Sequence, residues 1–433
     1  MRKNLTIGVL RETKDGEHRT PLTPGDIRWL KNKGVDVEVE WAPDRVFSNR
    51  QYEKAGARVV RRFRRAKLLL GIKEPEPADL YPGSIYLVFS HTIKGQSQNM
   101  PLLQACLDRD VTLVDYEKIT DSDNNRLVYF GRFAGICGAI TALAYAGKKY
   151  AARRIENPFS LIRPAHEYGS LMQAMKDLRM TAGLIRENGL PKKLTPFIIG
   201  IIGHGRVSQG VQEVMRTLGP VEIHPRDMLS FYRHRKSAEG NIFQTVFLRE
   251  EVFRAKDGSG FYFEKYLSRP REFASNLGKY LPCMNMLFHT SYWDKRYPRL
   301  VPRELIHTMY TKSCRLAFIG DLACDVKGSI ELTYRTTTRE DPVYTYNPGS
   351  GRYQDGYDEP GITLLARDNL PSDLPRDASA DFSSQIREYV YQIAAHGVTD
   401  ITNHVAIPRE IRRAVITQDG ELMTGYGYLR RNL

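Results

Sequence analysis

Short apolar strands alternate with helices along this chain, and this alternation limits the fold more than any other feature of the sequence. In the first third of the chain, apolar runs end at turn residues and are separated by helical stretches. The predicted strands are residues 5–10, 35–41, 67–72, 84–89 and 111–114. One predicted helix has Thr23 as its N-cap and Pro24 as its first residue, and another begins at Met100. Strand and helix units of this length are typical of a parallel sheet covered by helices on both faces. We therefore expect an α/β fold.

The same pattern starts again near the middle of the chain. Residues 133–150, rich in Gly and Ala, predict a helix packed closely on a neighbour, and residues 170–187 predict a second long helix. A buried strand, residues 197–202, follows. Because 433 residues exceed the roughly 100–200 of one domain, we expect two doubly wound Rossmann-like domains with a cleft between them. Residues 336–359, rich in Thr, Tyr, Pro and Gly, predict a long loop.

A glycine-rich turn follows the predicted strand 197–202 and leads into a helix. It has the sequence Gly203-His204-Gly205-Arg206-Val207-Ser208-Gln209-Gly210. Glycines at the first and third positions permit a tight turn and let backbone N–H groups approach a pyrophosphate at the helix N-terminus. The common spacing has a glycine at the sixth position, where this chain has Ser208. The turn predicts dinucleotide binding by Gly203, Gly205, Arg206, Val207 and Gly210, with a structural turn as the alternative.

The residues after that helix bear on the choice of dinucleotide. The predicted strand 221–224 is expected to end near the adenosine ribose. Glu222 offers an acceptor for the ribose hydroxyls, whereas a 2′-phosphate would favour the basic residues that follow, Arg226, Arg233, Arg235 and Lys236. We therefore expect NADPH as the cofactor, with NADH as the alternative. Asp321, at the end of a strand predicted over 316–321, is expected either to bind the cofactor or to cap a loop.

Two groups that can transfer protons follow neighbouring predicted strands of the first domain. Lys73-Glu74-Pro75 comes directly after strand 67–72, and Ser90-His91-Thr92 comes after strand 84–89. Ligands of doubly wound sheets bind at these strand ends, and Lys or His can titrate near neutral pH when its neighbours shift it. The alternatives are that Lys73 is an ordinary surface lysine and that His91 only caps a loop. Their equivalent placement favours an acid–base pair.

Basic side chains near those strand ends are candidates for carboxylate binding. Arg19 lies in the loop that leaves the first strand, where a planar guanidinium can hold a carboxylate through two hydrogen bonds. Lys94, three residues beyond His91, offers a second cation. Taken alone, each is more often solvated surface charge than a carboxylate ligand.

The overall charge and the cysteines narrow the classes of function. A formal net charge of +14 favours anionic partners, but the basic residues are dispersed and form no nucleic-acid-binding signature, so small anionic substrates rank first. The five cysteines are odd in number and lack close pair spacing, which predicts neither disulfides nor a metal site and favours a cytoplasmic protein. No apolar run predicts a membrane span. The sequence is compatible with a monomer or a homo-oligomer.

Taken together, these motifs resemble a known enzyme group. Ile7-Gly8-Val9-Leu10-Arg11-Glu12, Arg19-Thr20-Pro21-Leu22-Thr23-Pro24 and Lys73-Glu74-Pro75 resemble the alanine dehydrogenase, transhydrogenase and saccharopine dehydrogenase group. Further segments are similar to the lysine-ketoglutarate reductase domain of the bifunctional lysine-degradation enzyme: Phe89-Ser90-His91-Thr92-Ile93-Lys94, Val114-Asp115-Tyr116-Glu117-Lys118, Phe130-Gly131-Arg132-Phe133-Ala134-Gly135, Gly328-Ser329-Ile330-Glu331 and Asp368-Asn369-Leu370-Pro371. The resemblance covers nearly the whole chain, and it suggests a stand-alone reductase.

The resemblance implies an NAD(P)H-dependent condensation of L-lysine with 2-oxoglutarate to give saccharopine. By position, Lys73 and His91 correspond to the acid–base pair, Glu74 and Glu117 to acids that tune it, and Arg19 to a carboxylate-binding arginine. It also implies that residues 1–150 and about 350–433 form the substrate domain and about 160–345 the dinucleotide domain. Its partners would be an amino acid and a 2-oxo acid.

Two departures from the family pattern bear on specificity. Lys327 stands just before Gly328-Ser329-Ile330-Glu331, where the family has a small residue. Arg132 stands where the animal reductase domain has a neutral side chain, so it either binds another substrate carboxylate or is structural. The alternatives are an alanine dehydrogenase-like enzyme that uses ammonia, an opine-type reductase with another amine or oxo acid, and a regulatory protein that binds nucleotide or metabolite without turnover.

Overall fold

The computed structural model describes residues 4–234, 240–310, 314–396 and 400–433. Their backbone divides into two compact units. Unit 1 comprises Met1–Phe130 and Pro375–Leu433, and unit 2 comprises Gly131–Leu374. Unit 1 is therefore built from two separate stretches of the chain.

The described residues form α-helices and β-strands, which are numbered here in chain order. The strands are β1 (Thr6–Val9), β2 (Val37–Glu40), β3 (Arg58–Val60), β4 (Ala66–Leu70), β5 (Ile85–Val88), β6 (Thr112–Asp115), β7 (Phe197–Ile202), β8 (Val221–Glu222), β9 (Ile242–Phe247), β10 (Phe253–Ala255), β11 (Phe273–Ser275), β12 (Met286–His289), β13 (Phe318–Asp321), β14 (Tyr344–Asn347), β15 (Arg352–Asp355), β16 (Ile362–Leu365), β17 (Val415–Gln418) and β18 (Glu421–Leu422). The helices are α1 (Pro24–Asn32), α2 (Asn49–Lys54), α3 (Met100–Asp108), α4 (Gly131–Ala152), α5 (Leu171–Asn188), α6 (Arg206–Leu218), α7 (Pro225–Arg233), α8 (Arg249–Val252), α9 (Phe263–Ser268), α10 (Arg303–Met309), α11 (Pro375–His396) and α12 (Arg409–Arg413).

The sheet of unit 1 has the strand order β18-β17-β6-β5-β4-β1-β2-β3. Strands β1 to β6 pair in parallel with one another, whereas β17 pairs antiparallel with both β6 and β18. The order reverses between β1 and β4, and doubly wound sheets bind ligands beyond the carboxyl ends of strands at such a point. Helix α1 begins as predicted, because the Thr23 side chain accepts a hydrogen bond from the Asp26 N–H and Pro24 fills the first position.

The sheet of unit 2 has the order β15-β14-β16-β13-β12-β7-β9-β8, and a separate hairpin joins β10 to β11. Six neighbouring strands of this sheet pair in parallel: β16, β13, β12, β7, β9 and β8. Strands β14 and β15 pair antiparallel at the edge next to β16. Together the two sheets confirm the prediction of two Rossmann-like α/β folds. Within the described ranges, no helix combines the length and apolarity needed to cross a bilayer.

The predicted long loop over residues 336–359 is wrong in part. Strands β14 and β15 form an antiparallel hairpin inside it, and β14 also pairs with β16. The alternation of Tyr344, Thr345 and Tyr346 explains the difference, because both tyrosines are fully buried in the core of unit 2. Aromatic residues favour strands even where Pro and Gly flank them.

The unit boundaries also differ from those inferred from sequence. Residues 131–150 belong to unit 2 rather than to the first domain, because the backbones of α4 and α6 are in direct contact. A Cβ atom added to Gly135 would lie 2.0 Å from the Val207 carbonyl oxygen, and one added to Gly210 would lie 2.1 Å from that of Arg132. Residues 350–374 also fall in unit 2, because β16 pairs with β13 in its sheet.

Candidate functional site

The predicted acid–base residues lie close together in unit 1. Strands β4 and β5 are paired in parallel, so the segments that follow them leave the same edge of the sheet. Lys73 follows β4, and His91 follows β5 in a left-handed backbone conformation with φ of 53°. A non-glycine residue seldom adopts this conformation, and residues held in such conformations cluster at active sites and ligand-binding segments.

A hydrogen bond links these two segments. The Nδ1 atom of His91 lies 3.0 Å from Oε2 of Glu74, and Lys14 Nζ lies 2.5 Å from the other carboxylate oxygen. Burial opposes ionisation of Glu74, but the hydrogen bonds from His91 and Lys14 lower its pKa to about 2. Glu74 is thus a carboxylate at neutral pH and only accepts hydrogen bonds. The His91 ring must therefore carry its proton on Nδ1, which leaves Nε2 of the neutral ring as the proton acceptor.

Two other predicted site residues border the same space. Lys94 and Glu117 line a cavity of about 270 Å³ together with Lys14, Glu74 and His91. Glu117 forms an ion pair of 2.9 Å with Arg126, and its N–H donates to the Asp115 carboxylate. The structure therefore brings Glu74, His91, Lys94 and Glu117 to the wall of one cavity.

Arg19 is buried rather than open to solvent. Its Nε and Nη2 atoms lie 2.7 and 2.5 Å from the two carboxylate oxygens of Glu17, and its guanidinium stacks on the Phe130 ring at 4.2 Å. Burial raises the pKa of Glu17, but the hydrogen bond and charge of Arg19, with the charge of Lys73, lower it below the usual value. A substrate carboxylate would have to share this guanidinium with Glu17 or displace the Glu17 carboxylate from it.

Glu12 belongs to this neighbourhood, although no role was inferred for it from sequence. Its two carboxylate oxygens accept hydrogen bonds from the backbone N–H groups of Ile72 and Lys73, at 2.6 and 3.0 Å. Burial raises the pKa of Glu12 to about 7 despite these hydrogen bonds. Glu12 also lines a cavity of about 490 Å³ that borders the Lys73 turn. The sequence signals for it were its position shortly after β1 and its place at the end of the Ile7–Glu12 motif.

Arg132, proposed from sequence as a substrate ligand or a structural residue, fits the structural role. Its Nε and Nη2 atoms lie 2.8 and 2.7 Å from the carboxylate oxygens of Glu213. This bidentate ion pair joins α4 to α6 within unit 2.

The glycine turn of unit 2 has the predicted geometry of a strand, a tight turn and a helix. Gly203 has φ of 108°, and a Cβ atom there would lie 2.8 Å from Oγ1 of Thr290. Gly205 is the N-cap of α6 and supplies no side-chain acceptor to the helix, and a Cβ atom added to it would meet nothing within 4 Å. The start of the helix is thus open to an anionic group. Gly210 serves helix packing instead, as its contact with α4 shows.

The strand order moves the predicted ribose-binding residues away from this turn. Strand β9 pairs with β7 along six residues, whereas β8 lies outside β9 at the edge with both residues exposed. Five of the six residues of β9 are buried, as expected for a strand inside the sheet. Arg226 is largely exposed in α7 beside Asp227, and Arg233 lies at the other end of that helix. Arg235 and Lys236 lie outside the described residues.

The segment after β9, rather than after β8, is therefore the neighbour of the glycine turn. The Gly203 N–H donates to the carbonyl of Phe247, the last residue of β9. The exposed residues Arg249 and Glu250 lie two and three positions after Phe247. They are candidates for distinguishing a dinucleotide with a free ribose hydroxyl from one with a 2′-phosphate. Sequence reasoning missed them because it took residues 221–224 as the inner strand.

Asp321 ends β13, as predicted, but its carboxylate is buried. It accepts hydrogen bonds from Thr333 Oγ1 at 2.6 Å and from the Cys324 N–H at 3.3 Å, and it lies 2.8 Å from Nδ1 of His289. Of the two alternatives inferred from sequence, these contacts match the loop-capping one. In the part of the chain that the structure describes, no three His, Cys, Asp or Glu side chains are grouped to hold a metal ion.

Comparison with known proteins identifies the domains. Residues 8–137 match the model "Alanine dehydrogenase/PNT, N-terminal domain", and residues 292–425 match "Alanine dehydrogenase/PNT, C-terminal domain". The chain is 30% identical to "Alpha-aminoadipic semialdehyde synthase" of Arabidopsis thaliana, over 99% of this chain and 41% of that protein. It thus spans less than half the length of that relative. It is 24% identical to "Saccharopine dehydrogenase [NAD(+), L-lysine-forming]" of Candida glabrata, over 92% of this chain and 94% of that one.

A solved structure shows the same fold. The chain superposes on "L-alanine dehydrogenase" with a TM-score of 0.63 and 18% identity, over 99% of both chains. The likeness to this structure concerns the arrangement of strands and helices.

Proposed function

We propose, from the premise that this chain belongs to the alanine dehydrogenase/PNT family, that it catalyses the NAD(P)H-dependent reductive condensation of L-lysine with 2-oxoglutarate to saccharopine. The relative from Candida glabrata is named as a saccharopine dehydrogenase, which supports the choice of substrates. The observation that carries the proposal is the hydrogen bond between His91 and Glu74 beside the Lys73 turn. It fixes a proton acceptor on the segment after β5 by bonding it to the residue that follows Lys73 in the chain.

The reaction requires several proton transfers at one place. The lysine ε-amine attacks the ketone carbon of 2-oxoglutarate and forms a carbinolamine, which loses water to give an imine. Attack requires loss of a proton from nitrogen, and loss of water requires a proton on oxygen. Nε2 of His91 takes the first proton, since Glu74 fixes the ring with Nδ1 protonated. The ammonium of Lys73 delivers the second proton to the departing hydroxyl.

Cationic side chains hold the carboxylates of the two substrates. Lys94 faces the cavity that contains His91, so it attracts a carboxylate to the reacting centre. Arg19 binds a second carboxylate when that group shares the guanidinium with Glu17 or replaces it. Glu117 lines the same cavity as His91, and its ion pair with Arg126 holds the Glu117 carboxylate in place there.

The turn at the start of α6 fits a dinucleotide. The left-handed Gly203 and the open position at Gly205 leave the space that side chains would fill, and the N-terminal N–H groups of α6 favour a pyrophosphate. A dinucleotide held at this turn would supply the hydride for reduction of the imine carbon. Arg249 favours NADPH, since a guanidinium pairs with a 2′-phosphate, whereas Glu250 would accept from a ribose hydroxyl of NADH.

The test is a cofactor-oxidation assay with matched substrate pairs. NADPH and NADH oxidation are followed by absorbance with 2-oxoglutarate in the presence and absence of L-lysine, and with pyruvate plus ammonia. Oxidation that requires both lysine and 2-oxoglutarate supports the proposal. Oxidation with pyruvate and ammonia alone would replace it by an alanine dehydrogenase-like reaction. Binding of nucleotide without turnover on any pair would favour a regulatory protein.

A further inference from the structure

Three side chains of unit 2 form a linear hydrogen-bonded series outside the acid–base site. Ser291 Oγ lies 3.1 Å from Nε2 of His289, and Nδ1 of the same ring lies 2.8 Å from Oδ1 of Asp321. The order of atoms is hydroxyl, imidazole and carboxylate. These are the partners and distances by which a serine is activated as a nucleophile.

The acid and the histidine are held firmly in place. Both side chains are almost fully buried, with exposed fractions of 2% for Asp321 and 1% for His289. The second oxygen of Asp321 accepts a hydrogen bond from Thr333 Oγ1 at 2.6 Å, and the Cys324 N–H approaches the first at 3.3 Å. Parallel pairing of β12 with β13 places His289 directly beside Asp321. The carboxylate therefore cannot rotate away from the ring.

The hydrogen bonds define the protonation of the ring. An ionised Asp321 only accepts hydrogen bonds, so His289 donates through Nδ1–H. Nε2 then has a free lone pair and accepts the hydrogen bond from the Ser291 hydroxyl. The series thus points the proton of Ser291 towards a base that is oriented and stabilised by a buried acid.

Ser291 lies at a position that a ligand can reach. It is half-buried, whereas His289 is closed off from solvent. It also borders the glycine turn, because a Cβ atom added to Gly203 would lie 3.6 Å from both Cβ and the backbone nitrogen of Ser291. The start of α6 after that turn has no capping side chain, so its N–H groups are placed to stabilise negative charge.

We propose that Ser291, His289 and Asp321 form a nucleophilic site for acyl transfer from small activated esters or thioesters. Ser291 Oγ attacks the acyl carbon while His289 Nε2 takes the hydroxyl proton. The bond to the leaving alcohol or thiol breaks, and His289 returns the proton to that group. Water then attacks the acyl-serine, again with His289 as the base, and releases the carboxylic acid and the free serine. Each cycle consumes one ester and one water.

The experiment uses the full chain and two probes that report on the serine itself. A fluorophosphonate, which reacts with activated serines, is incubated with the protein, and the modified residue is located by peptide mass spectrometry. p-Nitrophenyl acetate is then used to look for an initial burst of p-nitrophenol that matches the amount of protein. We expect the label on Ser291, a burst, and loss of both in Ser291→Ala. We expect His289→Asn to slow labelling by about 100-fold.

The matched control is Ser350→Ala, which removes a hydroxyl from an exposed loop position away from any histidine in the hydrogen-bond network. We expect Ser350→Ala to react with the fluorophosphonate and to release p-nitrophenol as the unchanged protein does. The proposal is overturned if the unchanged protein gives no adduct at Ser291, or if the adduct lies on other serines. Because no step uses lysine, 2-oxoglutarate or NADPH, this outcome does not depend on the reductase activity. If His289→Asn fails to fold, Ser291→Ala and the mapped adduct still decide the result.

Discussion

The Nδ1 atom of His91 and the Oε2 atom of Glu74 are 3.0 Å apart, although the two residues follow different strands of the unit 1 sheet. This hydrogen bond orients a proton acceptor next to the Lys73 turn. It also ties the pKa of Glu74 to the integrity of the site, because the carboxylate is stabilised by His91 and Lys14.

Replacing the acid–base residues should lower turnover without preventing cofactor binding. We expect Lys73→Met and His91→Gln each to lower kcat by about 100-fold or more, since each removes one proton-transfer group. NADPH affinity, measured by fluorescence titration, should change less than twofold. The control is Lys67→Met, which removes an exposed lysine from β4. Unchanged kcat in both site variants would exclude this acid–base pair.

Glu74 should make stability depend on pH in the acid range. Its folded pKa of about 2 is below the usual value of about 4.5, so its contribution is complete above pH 4.5 and is lost as the pH falls towards 2. We expect this contribution to be about 2 kcal/mol. Urea unfolding is measured at several pH values. In Glu74→Gln the free energy of unfolding should fall less between pH 4.5 and pH 2 than in the unchanged protein, whereas the exposed control Glu76→Gln should behave like the unchanged protein. If the free energy of unfolding depended on pH in the same way in Glu74→Gln and in the unchanged protein, this role of Glu74 would be contradicted.

Glu12 should have the opposite effect on stability. Because burial raises its pKa to about 7, folding disfavours its ionised form, and stability falls as the pH rises from about 4.5 to 7. Asp115, whose pKa is raised to about 6 by burial, contributes in the same direction and remains in the variant. We expect Glu12→Gln to reduce the loss of stability between pH 5 and pH 8 by about 2 kcal/mol.

The same variant should impair the reaction. Gln offers one acceptor oxygen where the carboxylate offers two, so the Ile72 and Lys73 N–H groups cannot both be satisfied. A loosened Lys73 turn should lower kcat by about tenfold or more. A variant that is destabilised at pH 8 with unchanged kcat would assign Glu12 a purely structural role.

Two glycines of the same turn should differ in their tolerance of alanine. Gly210→Ala forces a Cβ atom to 2.1 Å from the Arg132 carbonyl oxygen, so we expect a loss of about 1–3 kcal/mol in the free energy of unfolding. Gly205→Ala meets nothing within 4 Å and has φ of −73°, so it should not be destabilised. Denaturant unfolding of both variants is the measurement. Equal stability would mean that α4 and α6 are not in backbone contact.

The sequence predicted the elements well wherever local chemistry decides them. Apolar runs located β4, β5 and β7, and the Thr23-Pro24 pair located the start of α1. Strand ends in a parallel sheet share one edge, so the proximity of Lys73 and His91 followed from the chain pattern alone.

Features that depend on distant pairing could not be predicted in this way. The outer position of β8 follows from the pairing of β9 with β7, residues that are more than forty positions apart. The contact of Glu12 with the Lys73 turn joins residues 60 and 61 positions apart, and Arg132 meets Glu213 across 81 positions. Side-chain partners of this kind are fixed by tertiary packing, which periodicity and turn residues do not encode.

Hydride transfer into the product is the most direct test of the proposed reaction. NADPH carrying deuterium at both C4 positions is incubated with the protein, L-lysine and 2-oxoglutarate, and the products are analysed by mass spectrometry. We predict saccharopine with one deuterium on the carbon that was the ketone of 2-oxoglutarate. Deuterium found only in 2-hydroxyglutarate, or no label in any lysine adduct, would contradict reductive condensation by this protein.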